Sequence, residues 1–145
     1  MADGPEGRQP RFVYLCDGRR APEPSGRYGW RLVAANHRPL GRGRLATDSL
    51  DDCRASARLL HQQVGRLQPM LTSQDGRWSW QVSLGAAPLA LCVHSYVRRV
   101  ECMRALTQFL AAVRIADPDR GVVRYFGPNS LRGYQVDRQA REVLS

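Results

Sequence analysis

The sequence predicts an α+β fold: a βββα unit written twice, its strands sharing one mostly antiparallel sheet, two helices packed on one face, and an extra strand or hairpin at the C-terminus. Three observations carry this. The phrase RYGWRLVAANHRPLG, beginning at Arg27, returns in altered form as RWSWQVSLGAAPLA, beginning at Arg77. Inside each phrase, apolar and polar residues alternate with the period of a strand that has one buried and one wet face. After each phrase the apolar residues change to steps of three and four, the period of an amphipathic helix.

Taken in order, Met1 to Pro10 is polar and rich in Gly and Pro, without the apolar stretch of a secretory signal, and reads as a disordered tail of a cytoplasmic protein. Phe12 to Asp17 is a short β-rich run, and Gly18 to Gly26, broken by Pro22 and Pro24, is a loop. Tyr28, Trp30, Leu32 and Ala34 then alternate with Arg27, Gly29 and Arg31. Arg38 to Arg42 reads as the return strand, weakened by Gly41 and Gly43. Leu50, Cys53, Ala57, Leu60, Val64 and Leu67 form the first helical stripe; Asp48 or Ser49 can cap it, and Asp51 and Asp52 suit the positive end of its dipole.

Pro69 to Gln74, the matching run before the second phrase, is poor strand material but could pair. Trp78, Trp80, Val82 and Leu84 alternate with Arg77, Ser79, Gln81 and Ser83, and the return strand Pro88 to His94 takes its alternation from Leu89, Leu91 and Val93. A second helix is predicted over 97–116, with Cys102, Leu106, Phe109 and Val113 on its stripe and Asp117-Pro118 as its stop. Arg98 and Arg99 stand in its first turn, against the dipole and without a cap. Val122 to Phe126 is a strand candidate; Gly127 to Ser130 turns the chain, and Tyr134 to Val136 returns along it.

Aligning Trp30 with Trp80 matches Tyr28 to Trp78 and Leu32 to Val82; beyond a single gap, Pro39 meets Pro88, Cys53 meets Cys102, Leu60 meets Phe109 and Val64 meets Val113. The gap falls between Leu32 and Pro39, around Asn36, where a hairpin turn absorbs it. Within a strand it would have sent every later side chain to the other face. The expected division is a tail at 1–10, a first unit at 11–68, a second at 69–117 and a C-terminal strand or hairpin with its tail at 118–145. Alone, each unit exposes an apolar sheet face and an apolar helix stripe. Burying one Trp or Leu is worth ~1.5–3 kcal/mol, so the units are expected to form one cooperative domain. The predicted core is Tyr28, Trp30, Leu32, Trp78, Trp80, Val82, Cys53, Cys102, Leu60 and Phe109.

The ordered set Tyr28-Gly-Trp30-Arg-Leu32-Val-Ala34-Ala35-Asn36, Pro39-Leu40-Gly41, Thr47 and Cys53, with its second copy Trp78-Ser-Trp80-Gln-Val82, Pro88-Leu89-Ala90, Tyr96 and Cys102, resembles the YegP-like family of small bacterial tandem-repeat proteins of uncharacterised function. The resemblance runs from Phe12 to Val113. It implies a βββα unit used twice, with one sheet backed by two helices, and implies no activity. Asn36 is followed by His37 where the family pattern has Asn-Gly, and Gly85-Ala86-Ala87 forms the second turn.

Composition bounds the function. An apolar content of 43% in 145 residues suffices for a sizeable core, and no apolar run approaches a membrane span. The net charge is +9, and all 22 basic residues are Arg. Arginine forks match phosphate oxygens, yet richness in Ala, Gly, Pro and Arg also marks a GC-rich genome, which is the stronger reading. Candidate nucleic-acid contacts are Arg27, Arg31, Arg42, Arg44, Arg77, Arg98, Arg99 and Arg104. Two aromatic pairs, Tyr28 with Trp30 and Trp78 with Trp80, could form a base-stacking platform. Parity sends Arg27 and Arg31 to the opposite face, which favours a core role for the rings.

Gly41-Arg42-Gly43-Arg44 could cradle an anion but lacks the ending of a P-loop and reads better as a softened strand end. Cys16, Cys53, Cys92 and Cys102 form no Cys-x-x-Cys pair, and His37, His61 and His94 are scattered singly, so no metal, cofactor or catalytic residue is predicted. Cys92 with His94, two positions apart on a strand, is a coincidence more often than an active site. The expected function is a non-enzymatic binding or protein-interaction module, with a protein partner or a homodimer formed across a sheet edge. The alternative is an Arg-driven RNA- or DNA-binding protein; no membrane association is expected.

Overall fold

The computed structural model describes residues 9–17, 27–125 and 131–136. The tail through residue 8, the Gly18–Gly26 loop and the Gly127–Ser130 turn lie outside the described residues. A first run comprises β1 (Arg11–Cys16), β2 (Tyr28–Val33), β3 (Pro39–Gly43), a short β4 (Leu45–Ala46) and α1 (Leu50–Gln62). A second comprises β5 (Gln68–Gln74), β6 (Arg77–Leu84), β7 (Ala87–Leu91) and α2 (Arg99–Ile115), followed by β8 (Val122–Tyr125) and β9 (Gln135–Val136). The fold is α+β. One seven-stranded sheet runs in the order β5-β6-β7-β3-β2-β1-β8. It is mixed: neighbours from β5 to β1 are antiparallel, and β8 joins β1 in parallel, Val13 facing Val122.

Two antiparallel meanders meet where β3 pairs with β7, Arg42 facing Leu91 and Gly43 facing Ala90. Corresponding details recur in the two runs. Tyr28 and Thr47 exchange backbone hydrogen bonds of 2.8 Å each; Trp78 and Tyr96 exchange bonds of 2.6 and 2.7 Å. Register slips between Leu32 and Val33 and again between Val82 and Ser83. The added residue of the first run lies in the turn after β2, where Ala34 accepts from the His37 N–H at 2.9 Å and His37 takes a left-handed φ of 68°. The Asn36 carboxamide oxygen accepts from the Arg38 N–H at 3.2 Å, the local bond that makes Asn a turn former.

Both helices cover one face of the sheet. Their inward residues, among them Cys53, Ala57, Leu60, Cys102, Phe109 and Val113, form one core with Phe12, Tyr14, Trp30, Leu32, Trp80 and Val82. Trp30 and Trp80 are 1% exposed, while Tyr28 and Trp78 are half-buried at the rim. The Trp30 edge meets Phe12 in a T-shaped contact, and Trp80 lies against Phe109 with ring centroids 4.6 Å apart. The two glycines of β3 make room for these rings. A Cβ on Gly41 would sit 2.5 Å from the Phe109 ring, and one on Gly43 would sit 2.6 Å from Trp30 Nε1. The Gly-Arg-Gly-Arg stretch is thus a central strand whose glycines let indoles approach the backbone.

Pro69 to Gln74, poor strand material by sequence, does pair: with Gln68 it forms a strand joined to β6 over seven residues and closed by Asp75-Gly76, whose φ angles of 54° and 77° define a two-residue hairpin turn of type I′. Three expectations are corrected. On β7 and just past its end the deeply buried positions are Ala90 and Cys92, in the opposite phase from Leu89 and Leu91, because Trp80 and Phe109 already fill that face and admit only small neighbours. The first helical stripe does not run on as α-helix to Leu67: α1 ends at Gln62, and a 3₁₀ turn over Val64–Arg66 turns Val64 and Leu67 toward the core. Tyr134–Val136 does not return along β8; β9 pairs in parallel with β4 in a separate two-stranded sheet.

Cap chemistry follows the sequence. Ser49 Oγ accepts from the Asp52 N–H at 3.0 Å, with Asp51 and Asp52 in the first turn of α1. At α2, Arg98 occupies the N-cap in an extended conformation, and its side chain makes no capping hydrogen bond.

Candidate interaction surfaces

The sheet face away from the helices is built by register. Residues paired across neighbouring strands point to the same side, so Arg11 with Val33, Val13 with Arg31, Leu15 with Arg124, and Arg31 with Arg42 share that outer face. A second, smaller core lies there: Val13, Leu15, Val33 and Ala46 pack with Leu131 and Tyr134. The Tyr134 hydroxyl donates to the Trp30 carbonyl at 3.0 Å, and the Arg42 guanidinium lies 4.5 Å from its ring centroid. Burial raises the Tyr134 pKa; nearby Arg31 and Arg42 oppose that shift.

The eight arginines singled out from the sequence do not share one surface. Arg31 and Arg42 lie on the outer face, and Arg42 also donates to the Gly133 carbonyl at 3.2 Å. Arg44 donates to the Pro88 carbonyl at 3.2 Å and to Gln135, bracing β3 against its neighbours. Arg77 holds Ser95 through Oγ at 2.6 Å and its carbonyl at 3.1 Å. Arg98 and Arg104 are exposed at the start of α2, on the other side of the sheet, and Arg99 lies 5.8 Å from the Trp78 centroid. Arg27 is half-buried where its backbone meets Asp17. With Trp30 and Trp80 beneath the helices, no base can stack on those two indoles. Sequence reading missed Arg11 and Arg124; strand parity for Arg11 was available, but only the β1–β8 pairing brings Arg124 beside it.

No nucleophile presents itself among the cysteines. Cys53 is fully buried, and burial pushes its thiol up to about 12. Cys102 is also fully buried and its thiol is raised for the same reason. Cys92 is buried with its sulfur accepting from the Trp80 N–H at 3.4 Å, whereas His94 is exposed past the end of β7 with its ring against Tyr96. Among the described residues no cluster of His, Cys, Asp or Glu could hold a metal ion, and no helix is long and apolar enough to cross a membrane.

The two sheet edges differ. At one end β1 is covered by β8, and all of β1 after Arg11 is buried through Cys16. At the other end β5 has, among the described residues, a neighbour only on its β6 side, and every residue from Gln68 to Gln74 except Leu71 is exposed. The strand QPMLTSQ carries no charge, and Met70 is 48% exposed. In a two-residue hairpin the pair flanking the turn, here Gln74 and Arg77, exchanges both backbone bonds. Alternation along β5 then leaves the N–H groups of Leu71 and Ser73 facing outward, with Pro69 at the third outward position supplying none.

No family model matches the chain, and no curated protein matches it. Among solved structures it is similar to the solution NMR structure of yegP, a protein of unknown function from E. coli, with 13% identity and a TM-score of 0.48, covering 81% of this chain and 94% of that one. That is the family the sequence resembles.

Proposed function

We propose that the protein is a non-enzymatic interaction module that pairs through β5, its partner a second copy of the same chain. The observation that supports this most is the bare, uncharged seven-residue edge. Edges of that length are normally blunted by charge, bulge or cover, and here, among the described residues, only Pro69 does so, at one position. In an antiparallel pair centred on Leu71, Gln68 opposes Gln74 of the second copy and Met70 opposes Thr72. Leu71 and Ser73 donate outward, giving roughly four backbone hydrogen bonds across the two-fold axis. The two runs are read as copies of one unit, and the second copy of the chain does for β5 what β8 does for β1.

The test is the mass of the full chain by light scattering over a range of concentrations. A dimer that dissociates on dilution is expected, and Met70→Lys with Thr72→Lys, both on exposed positions, shifts it to monomer by placing lysines opposite each other across the axis. A chain that stays monomeric throughout, or a dimer indifferent to the double substitution, overturns the proposal. Arginine-driven RNA or DNA binding has less support, since the candidate arginines are divided between the two sides of the sheet.

A further inference from the structure

We propose that the outer face of the β8-β1-β2 region binds a small phosphate monoester with an apolar or aromatic body. An open depression of about 300 Å³ lies there, at the lower end of small-molecule sites. Its base is apolar: Val13 and Val33 are 8% exposed and Leu15 is 3% exposed, with Pro39 beside them. Three cations surround this base, one from each of three strands. Arg11 pairs across the sheet with Val33, Arg31 with Val13, and Arg124 with Leu15, so each guanidinium starts next to an apolar residue of the base. No carboxylate of the described residues lines the depression.

Two contacts prearrange the cations. Arg11 donates to His37 Nδ1, and the Arg31 guanidinium lies beside Tyr134, whose hydroxyl is held by the Trp30 carbonyl. Arg31 Nε is nevertheless buried without a hydrogen-bond partner. A buried donor left unmet on a charged group costs stability unless something fills it, and a ligand oxygen would do so. Arg42, across from Arg31, adds positive potential beside the site. Three guanidiniums with no counter-charge among the described residues fit a dianion better than a monocarboxylate, and the guanidinium fork suits phosphate oxygens. The apolar base takes the remainder of the molecule. The volume admits about ten non-hydrogen atoms at the share a liquid gives each. The cations converge on one small patch instead of following a track, which favours a compact ligand over a nucleic-acid strand.

The probe is phenyl phosphate, titrated into the full chain by calorimetry and by NMR of the Val and Leu methyl groups. Binding is expected to shift the Val13, Leu15 and Val33 methyl resonances. Inorganic phosphate and phenol should each bind at least about tenfold more weakly, a difference of one decade in Kd. Arg31→Gln and Arg124→Gln should each weaken phenyl phosphate by a similar factor, while Arg114→Gln, exposed on α2, leaves it unchanged. Arg31 also touches Tyr134, so Arg124→Gln, at an exposed position, keeps the test valid should Arg31→Gln fail to fold. The proposal is overturned if those methyl groups do not respond, if inorganic phosphate binds as well as the ester, if Arg114→Gln weakens binding equally, or if only a single-stranded oligonucleotide binds, with a steep salt dependence.

Discussion

Gly41→Ala isolates the packing argument at the centre of the sheet. A Cβ there would lie 2.5 Å from Phe109 Cδ1 and Cε1 and 2.8 Å from Trp80 Cη2. Comfortable carbon contacts begin at about 3.5 Å, so the methyl intrudes by roughly 1 Å on two rings at once. Neither ring has space to retreat, because Phe109 is 0% and Trp80 1% exposed, and the rings already touch each other. Overpacking of this kind costs about 1–3 kcal/mol. Replacing glycine where φ is ordinary returns about 0.4–1 kcal/mol through the unfolded chain. The net expectation is a loss of roughly 1 kcal/mol, which lowers Tm by roughly 2–4 °C in a chain of this size. Urea unfolding followed by tryptophan fluorescence and circular dichroism measures it. Gly65→Ala, where nothing lies within 4 Å, is the control and should change stability by less than about 0.5 kcal/mol. Trimming the obstructing ring with Phe109→Leu should cost less in the Gly41→Ala background than alone, a coupling above about 0.5 kcal/mol. If Gly41→Ala proves as silent as Gly65→Ala, the close approach of β3 to the rings is refuted.

The helix ends give opposite expectations. Ser49→Ala removes the bond to the Asp52 N–H and should destabilise by about 0.5–2 kcal/mol, whereas Arg98→Asp supplies α2 with the cap it lacks and a charge suited to its dipole, and should stabilise by roughly 1 kcal/mol; chemical denaturation measures both. Alkali should weaken the fold. Cys53 ordinarily titrates near 9.0 and burial holds it up to about 12; Tyr14, ordinarily near 10.0, is also raised by burial. The folded state keeps these protons while the unfolded chain releases them, so stability is full below pH 9 and falls above it, by up to about 1.4 kcal/mol per pH unit for each group. Denaturation curves between pH 8 and 11 should show this decline, and Cys53→Ala should flatten its first part; a flat profile for the unsubstituted chain contradicts the burial of both groups.

What could be read in advance was local. The tryptophans at Trp30 and Trp80 declare their strands because large rings alternate with polar residues, and Ser49 declares the start of α1 because a hydroxyl precedes two acids and an apolar stripe. β5 was undervalued because its residues are judged by burial, and an edge strand has little; the legible signal was Asp75-Gly76, a pair suited to left-handed turns. The phase of β7 was misread because Leu89 and Leu91 are larger than Ala90 and Cys92, while the buried face has room only for the smaller set. The parallel pairing of β8 with β1 and of β9 with β4 leaves no local trace, since nothing near Val122 encodes a neighbour at Val13. The arginine-ringed depression depends on that pairing, which is why Arg31 could be placed on its face by parity while Arg124 could not be brought beside it.

The union of Val13 with Val122 also bears on how the chain matures. Contacts so distant in sequence are slow to form. As the polypeptide leaves the ribosome, β1 can hydrogen-bond β2 early, but its other flank must wait until β8, far along the chain, has been translated. Throughout that interval the nascent chain displays an unsatisfied strand rich in Phe, Val, Tyr and Leu, the kind of segment that chaperones grasp and that other unfinished chains capture. Late arrival of β8 relative to β1 therefore makes the interval between their syntheses the one in which misassembly is most readily averted or incurred.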